Sequence, residues 1–495
     1  MDTKEKLKLS LLSGGGKECI VIGDEAYSYD DVLAKIDAMD TILSEYSVIG
    51  FESRKDIFSY VCILYCVLND KTFVPVSLAQ PMERVIYILN TSKAEALISD
   101  GDLVGYDGRV ISRSLLYSTE SLTGGKSLAI SAKNRNDIAY ILYTSGSTGL
   151  PKGVKVGRES LNLFIENIRK DIKVYPDDRV SQFYELIFDV SIQDIFLALL
   201  SNATLVVCEN KDRLFTYRFI QEKRISVWSS VPSAVSTFID RIYRSSLKLP
   251  ALRISIFAGE ALSPELVRKW ASICESSEIF NLYGPTETTI GICWTKLSDQ
   301  EIINGDIPIG LPAPGHTFYL KEDEGGQTKS GKFGELVIEG KQVAFGYISS
   351  DSGGFYYNSK SRGYSTGDIV EIREGKMYYL GRRDSQVKLR GYRIELNDVE
   401  ENLRIKSGYS ELYAIVMHEG GVELLVIVAE SSEVINRLKR TQGVLPEYMK
   451  PDRYVAVENI PRTLSGKTDR NKLIGIVNEI WNGDLNDYGK ERARG

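Results

Sequence analysis

A run of hydroxyl side chains, glycines and one lysine carries the clearest chemistry in this sequence. It reads Thr144-Ser145-Gly146-Ser147-Thr148-Gly149-Leu150-Pro151-Lys152. Glycine lets backbone N–H groups approach an anion, hydroxyls add donors, and a lysine adds a mobile positive charge. The pattern predicts a phosphate-binding loop, with a serine- and glycine-rich surface loop as the alternative. The GxxxxGK[ST] spacing is not met, because Lys152 follows a proline and no Ser or Thr follows it.

The elements on either side must position this loop. Residues 138–142 form a short apolar run of strand formers. After the loop, Leu161, Phe164, Ile165 and Ile168 recur at helical spacing. We therefore expect the loop to join a strand to a helix.

Three other stretches place polar side chains at the ends of predicted elements. Asp189 directly precedes a helical pattern that starts near Ser191, so a plain helix cap is one interpretation. Residues 281–289 follow a strand pattern, and a Gly-Pro turn explains only part of their Asn, Tyr, Thr and Glu. Ser465-Gly466-Lys467, taken alone, is typical of a solvated turn.

Composition limits the classes of function. The chain has 495 residues and a net charge of −6, so bulk charge favours neither nucleic acid nor an anionic membrane as a partner. No apolar run reaches the length of a membrane span, and no signal-peptide pattern follows Met1. The six scattered cysteines, including Cys62 and Cys66 in an apolar stretch, indicate core packing and a reduced, cytoplasmic protein. Short apolar runs alternate with helical patterns in residues 19–130, as in layered α/β folds.

Together these stretches resemble the adenylate-forming enzymes, specifically the amino-acid adenylation domains of nonribosomal peptide synthetases. The likeness covers nearly the whole chain, including residues 364–368 and 379–384. It implies a large, multi-layer α/β domain over residues 1–383, which binds ATP and the amino acid. A smaller α+β lid over residues 384–495 would rotate about a hinge at Asp384 and carry the catalytic lysine.

The resemblance implies a specific nucleotide site. Tyr283 would stack on adenine, Asp368 would accept hydrogen bonds from the ribose hydroxyls, and Glu287 would hold Mg²⁺. The implied catalytic residues are Thr144, Lys152, Thr286, Glu287 and Lys467. The implied nucleotide-binding residues are Thr144, Ser145, Gly146, Ser147, Thr148, Gly149, Lys152, Gly259, Asn281, Tyr283, Gly284, Thr286, Asp368, Tyr379, Arg382 and Lys467.

The family's aspartate that holds the substrate ammonium group matches Asp189. By the same resemblance, the substrate pocket is lined by Asp189, Val190, Gln193, Ser230, Ile256, Ala258, Leu282, Ile290 and Gly291. Apart from Asp189 this wall carries no charge, so a charged substrate side chain would be desolvated without a partner. The expected substrate is a neutral, mainly apolar amino acid, with proline first and an aromatic residue second.

The implied reaction joins an amino acid to AMP with release of pyrophosphate. ATP and Mg²⁺ are the expected cofactors, and the acyl group would pass to the phosphopantetheine thiol of a separate carrier protein. No carrier or condensation motif is found, so a free-standing enzyme is expected. A D-alanine–carrier protein ligase and an acyl- or aryl-CoA ligase are the alternatives, and a non-enzymatic nucleotide-binding module is disfavoured by Lys467.

Overall fold

The structure is a computed structural model that describes residues 1–101, 103–120, 136–146, 150–321, 332–348, 353–359, 361–384, 386–419, 422–462 and 468–492. The chain divides into two compact units. The first contains Met1–Leu78, Met82–Thr144 and Lys152–Asp384, and the second contains Ala79–Pro81, Ser145–Pro151 and Ser385–Gly495. No helix within the described residues is both long and apolar enough to cross a membrane.

Strands and helices alternate through most of the first unit, as the sequence predicts. The strands are β1 Glu18–Ile22, β2 Glu25–Ser28, β3 Val48–Glu52, β4 Thr72–Val76, β5 Ala96–Ile98, β6 Arg109–Ile111, β7 Ile138–Thr144, β8 Lys152–Gly157, β9 Arg179–Gln182, β10 Thr204–Val207, β11 Val227–Ser230, β12 Ile254–Ala258, β13 Glu278–Tyr283, β14 Cys293–Lys296, β15 Thr317–Lys321, β16 Lys332–Glu339, β17 Phe355–Tyr357, β18 Arg362–Arg373, β19 Lys376–Arg382, β20 Gln386–Leu389, β21 Tyr392–Glu395, β22 Leu412–Glu419, β23 Val422–Ala429 and β24 Arg453–Ala456.

The helices connect and cover these strands. They are α1 Thr3–Gly14, α2 Tyr29–Leu43, α3 Ile57–Leu68, α4 Met82–Thr91, α5 Arg113–Glu120, α6 Arg158–Asp171, α7 Val190–Leu199, α8 Asn210–Arg213, α9 Thr216–Glu222, α10 Pro232–Arg244, α11 Pro264–Ile273, α12 Asp299–Asn304, α13 Leu396–Ser407, α14 Ser432–Thr441 and α15 Arg470–Arg492. Short 3₁₀ turns lie at Thr286–Thr288, Gln442–Val444 and Glu447–Met449.

The strands among the described residues of the first unit form three sheets. One has the order β14-β13-β12-β11-β9-β10-β1-β2, in which only the outer pairs β13–β14 and β1–β2 are antiparallel. A second has the order β6-β5-β3-β4-β7-β8 and is parallel except for β7–β8. The third is antiparallel and contains β15 to β19. Parallel strands linked by helices are what the alternating pattern predicts.

The main core explains two sequence features. Helix α3 is apolar all round, and all of its residues are buried, as expected of a helix with no solvent face. Its Cys62 and Cys66 are buried free thiols, which agrees with the core-packing interpretation. Helix α11 starts at a sequence suited to a helix N-terminus: Ser263 caps it by accepting a hydrogen bond from the Leu266 N–H, and Pro264 occupies its first turn.

The second unit has its own core. Its strands β22, β23 and β24 form a small mixed sheet, and β20 pairs with β21 in a separate hairpin. Helices α13 and α14 bury Val399, Leu403 and Leu438 beside this sheet. This composition of strands and helices is the α+β type that the sequence predicts for the smaller domain. The boundary between residues 383 and 384 stays a proposal.

Candidate functional site

The predicted substrate residues gather at one edge of the eight-stranded sheet. The parallel strands β9, β11, β12 and β13 all end there, at Gln182, Ser230, Ala258 and Tyr283. Ligands of open parallel sheets bind in the crevice outside the carboxyl ends of the strands. Gly259, which follows Ala258, has a φ of +89° and turns the chain at this edge.

The hydroxyl- and glycine-rich loop joins two strands, so the prediction that it leads into a helix is wrong. Thr144 at the end of β7 pairs with Lys152 at the start of the antiparallel strand β8. Alternating valines and lysine in residues 153–157 favour a strand before α6 begins at Arg158. The loop is therefore followed by a strand and not directly by the N-terminus of a helix. Ser147, Thr148, Gly149 and Lys467 lie outside the described residues.

Ser145 and Gly146 are buried residues of the second unit. The Ser145 hydroxyl donates to the Arg393 carbonyl at 2.9 Å and accepts from the Glu395 N–H at 3.2 Å. Both contacts are made to strand β21 of the same unit. The Ser145 donor is thus already oriented by backbone groups in this structure.

Lys152 and Glu287 both contact one tyrosine. The Lys152 ammonium group lies 5.4 Å from the centre of the Tyr347 ring, and the Tyr347 hydroxyl donates to Glu287 Oε1 at 2.6 Å. Glu287 is fully buried, and its carbonyl accepts from the Ala344 N–H. Sequence reasoning assigned no role to Tyr347. The arrangement brings a cation and an oriented carboxylate to the same tyrosine, and these are the two kinds of group that bind phosphates and their metal ion.

Asp189 lies just before α7, yet it does not cap the helix. It has helical backbone angles, and its side chain makes no capping hydrogen bond. Its Oδ2 instead accepts from the Ile290 N–H at 3.1 Å. Burial raises the pKa of Asp189 to about 6, the Ile290 N–H and the Thr286 hydroxyl lower it, and the Glu287 charge raises it. The interpretation of the Asp189 side chain as a helix cap is therefore wrong, and its role in substrate binding stays a prediction.

The loop that contacts Asp189 is held by a residue that sequence reasoning missed. The Gln342 side-chain amide donates to the carbonyls of Gly291 at 2.7 Å, Thr288 at 3.1 Å and Thr289 at 3.3 Å. The Thr289 hydroxyl donates in turn to the Gln342 carbonyl at 2.6 Å. Thr289 and Ile290 both have positive φ, which is unfavourable for branched side chains and requires such tethers. Gln342 thus positions the N–H group that Asp189 uses.

The predicted adenine and ribose residues form one hydrogen-bonded chain. The Tyr283 hydroxyl donates to Asp368 Oδ2 at 2.5 Å, and Arg382 donates to Asp368 Oδ1 at 2.7 Å. Arg382 also holds both oxygens of Asp384, at 2.7 and 2.8 Å. A carboxylate has about four acceptor positions, so Asp368 can hold these partners and still accept from two ribose hydroxyls.

Two further nucleotide candidates lie beside this chain. The Tyr379 ring lies 6.5 Å from the Tyr283 ring at 39°, which gives an aromatic pair at the site. Asn281 is buried on β13, and its side-chain nitrogen donates to the Pro308 carbonyl at 2.9 Å. A Cβ on Gly284 would lie 2.8 Å from the Gly291 Cα, so glycine is needed for this close backbone approach.

Most of the predicted pocket residues share one face of the sheet. Ile256, Ala258 and Leu282 belong to the main core on the face that α7 covers, and Ile290 joins the same core. On α7 itself, Gln193 is buried and Val190 is half-buried.

Two of the predicted pocket residues, Ser230 and Gly291, contact other parts of the protein instead. The Ser230 hydroxyl accepts from the Trp228 indole N–H at 2.9 Å and donates to the Val231 carbonyl at 3.0 Å, on the opposite face of β11. A Cβ on Gly291 would lie 2.5 Å from the Leu282 side chain, so Gly291 makes room for Leu282 rather than for a ring of the substrate. The residue of β11 on the α7 face is Ser229, which pairs with Ile256.

Comparison with known proteins bears on the family of the chain. Residues 13–348 match the family described as AMP-binding enzyme. The D-alanine–D-alanyl carrier protein ligase of Bacillus velezensis is 31% identical over 437 residues, which are 83% of this chain and 86% of that protein. Gramicidin S synthase 1 of Brevibacillus brevis is 32% identical over 92% of this chain, which spans 42% of that larger protein.

The architecture also matches a solved structure. The Vibrio cholerae adenylation domain AlmE, crystallised with glycyl-adenosine-5′-phosphate, superposes with a TM-score of 0.83 at 24% identity. The match covers 96% of this chain and 98% of that one, which confirms the predicted fold. The chain therefore belongs to the AMP-binding enzyme family and is an adenylate-forming, AMP-producing ligase.

Proposed function

We propose that this ligase activates an α-amino acid as its aminoacyl-adenylate. One observation carries the proposal: Asp189 is a buried carboxylate, and no cation among the described residues forms an ion pair with it. A buried charge without a counterion is costly. The α-ammonium group of an amino acid would supply that counterion, whereas a fatty or aryl acid would leave Asp189 unpaired. This favours an amino acid over the acyl- or aryl-CoA ligase alternative.

The chemistry requires two anions to meet. The amino acid carboxylate attacks the α-phosphorus of ATP, a bond to AMP forms, and pyrophosphate leaves. Charge compensation contributes more to such a step than acid–base catalysis. Lys152 and Lys467 would supply positive charge, and the hydroxyls of Thr144 and Thr286 would supply donors. Tyr283, Asp368 and Arg382 would hold the nucleoside.

Glu287 fits the expected role toward magnesium. Mg²⁺ is usually bound through one or two carboxylates together with substrate phosphates and water, rather than by a cage of protein ligands. No group of three or more potential ligands exists among the described residues, and Glu287 supplies one oriented carboxylate. When bound, the ion would neutralise charge on the phosphates.

The pocket geometry bears on the choice of amino acid. Leu282 occupies the space beside Gly291, which disfavours the predicted aromatic substrate and leaves a small neutral one, proline included. A D-alanine–carrier protein ligase is the second candidate, favoured by relatives of that name in several bacteria at 29–31% identity. In either case the acyl group would pass to the phosphopantetheine thiol of a carrier protein.

Amino-acid-dependent exchange of labelled pyrophosphate into ATP tests the proposal. The panel contains the common L-amino acids, D-alanine, glycine, and acids without an amine. We expect exchange with at least one amino acid and none with its des-amino analogue. Exchange only with acids that lack an amine would refute the role of Asp189 and favour the CoA-ligase alternative.

A further inference from the structure

Three buried polar side chains beside the substrate pocket have no hydrogen-bond partner in the structure. They are Gln193, Asp194 and Ser229. The atoms without a partner are both side-chain amide atoms of Gln193, both carboxylate oxygens of Asp194 and the hydroxyl of Ser229. All three are at most 1% exposed. We call them the polar cluster. Nearly all buried polar groups of native proteins are satisfied, so three neighbouring exceptions require an explanation.

The polar cluster lies where a substrate side chain would reach. Gln193 of α7 follows Asp189 by four residues, and Asp189 has helical backbone angles, so the two side chains lie on one face, one turn apart. Ser229 projects from β11 toward the α7 side of the sheet, because it is paired with Ile256 of the main core. An amino acid held at Asp189 by its ammonium group would therefore extend its side chain along α7 toward Gln193.

The polar groups nearest to the Asp194 carboxyl are the other two members of the cluster and the Phe183 N–H, which lower its pKa, although none of them forms a well-aligned hydrogen bond with it. The buried Lys55 ammonium lies in the same region, but it donates to the carbonyls of Phe183 at 2.8 Å and Cys208 at 2.6 Å and forms no ion pair with Asp194. Burial raises the pKa of the Asp194 carboxyl well above its usual range. Burial therefore favours the uncharged carboxylic acid, and the Lys55 charge opposes it. The cluster gathers several hydrogen-bond donors and acceptors in one buried place.

We infer that the polar cluster binds the side chain of the substrate, which is an uncharged hydroxyl or carboxamide side chain of the serine, threonine, asparagine or glutamine kind. This inference rests on the proposed amino-acid activation and narrows it. A cationic side chain would be repelled by the buried Lys55 ammonium group in the same region, and an apolar one would leave the donors and acceptors of Gln193 unsatisfied. It also replaces the mainly apolar substrate expected from sequence, which did not consider Asp194 or Ser229.

Matched substrate pairs test the inference in the wild-type enzyme, where no variant has to fold. The pairs are serine with alanine, threonine with 2-aminobutyrate, asparagine with leucine, and glutamine with norleucine, and kcat/KM is measured by pyrophosphate exchange. A site that hydrogen-bonds a substrate group rejects the analogue lacking it by roughly 10⁴-fold. We expect the polar member of one pair to be preferred by at least about 10²-fold.

Variants locate the preference. Gln193→Leu or Ser229→Ala should lower the kcat/KM for the polar substrate by at least about 10-fold and leave the kcat/KM for its apolar partner unchanged. The ratio of the two values should fall by the same factor. Ser230→Ala is the matched control, because its hydroxyl faces Trp228, and the ratio should stay at the wild-type value. Robust exchange in which the apolar member equals or exceeds its partner in every pair would overturn the inference and leave the cluster as a site for water. Absence of exchange with every amino acid would overturn the proposed function, and this inference with it.

Discussion

Replacing Asp189 by asparagine should stabilise the substrate-free protein while removing its activity. The carboxyl has a pKa of about 6 in the folded protein against an ordinary value of 3.8. Keeping it ionised therefore lowers the free energy of unfolding by about 2 pKa units times 1.36 kcal/mol, or about 3 kcal/mol. Asparagine has a similar shape and can accept the Ile290 N–H, but it carries no charge to desolvate.

The sign of this effect depends on pH. Well below pH 4 the carboxyl is protonated in the folded and unfolded states alike, and the variant should match the wild type. As pH rises from about 4 to about 6, only the unfolded chain loses its proton, so the wild type loses stability relative to the variant. Above pH 6 the difference should be constant at up to about 3 kcal/mol.

Denaturant unfolding from pH 4 to pH 8 measures this difference. Asp178→Asn is a control of opposite sign, because Asp178 is buried beside Arg253 and the hydrogen bonds from Arg253, Tyr175 and Ser226 outweigh burial and lower its pKa. That variant should be less stable than the wild type at pH 7. An Asp189→Asn protein that is no more stable than the wild type at pH 8 would refute the view that Asp189 is a strained, substrate-binding carboxylate.

Four other variants probe the remaining parts of the site. Lys467→Ala should lower pyrophosphate exchange by roughly 10²–10³-fold and leave ATP binding by calorimetry intact; unchanged exchange would remove Lys467 from the mechanism. Tyr347→Phe removes the hydrogen bond to Glu287 and should raise the Mg²⁺ concentration for half-maximal rate about 10-fold, with an unaltered Mg²⁺ dependence as the contrary result. Gln342→Leu should loosen the loop that supplies the Ile290 N–H, raising the KM for the amino acid but not for ATP; a matching rise for ATP would indicate general disruption. Asp384→Pro fixes φ at the proposed hinge, so transfer to a carrier thiol should fall while exchange survives, and equal loss of both would argue against a moving lid.

The sequence was sufficient to predict elements whose ends are determined by residues close together in the chain. The start of α7 beside Asp189 and the Ser263-Pro264 start of α11 follow from helical periodicity and capping chemistry. The sequence analysis did not predict strand β8, because it extended the helical pattern of α6 backwards as far as the loop. Residues 153–157 in fact alternate as a strand does. A strand and a helix compete closely for such a short segment.

Contacts between distant parts of the chain were beyond sequence reasoning. Tyr347 reaches Glu287 across 60 residues, and Gln342 holds the loop at Gly291 across 51. Neither pairing leaves a local pattern. The resemblance assigned Ser230 to the predicted pocket, but its neighbour Ser229 lies on that face of β11. Successive residues of a strand face opposite sides, so an error of one residue in the alignment replaces a residue of one face by a residue of the other.

The most direct test of the central claim is detection of the adenylate itself. The enzyme is incubated with ATP, Mg²⁺ and the best substrate of the exchange panel, with pyrophosphatase present, and the products are analysed by mass spectrometry. A matched reaction contains the des-amino analogue, and another contains the Asp189→Asn variant. We predict an aminoacyl-adenylate from the amino acid with the wild type, and little or none in either matched reaction. An adenylate formed equally well from the des-amino acid, or by the Asp189→Asn variant, would contradict the assignment of Asp189 as the ammonium site.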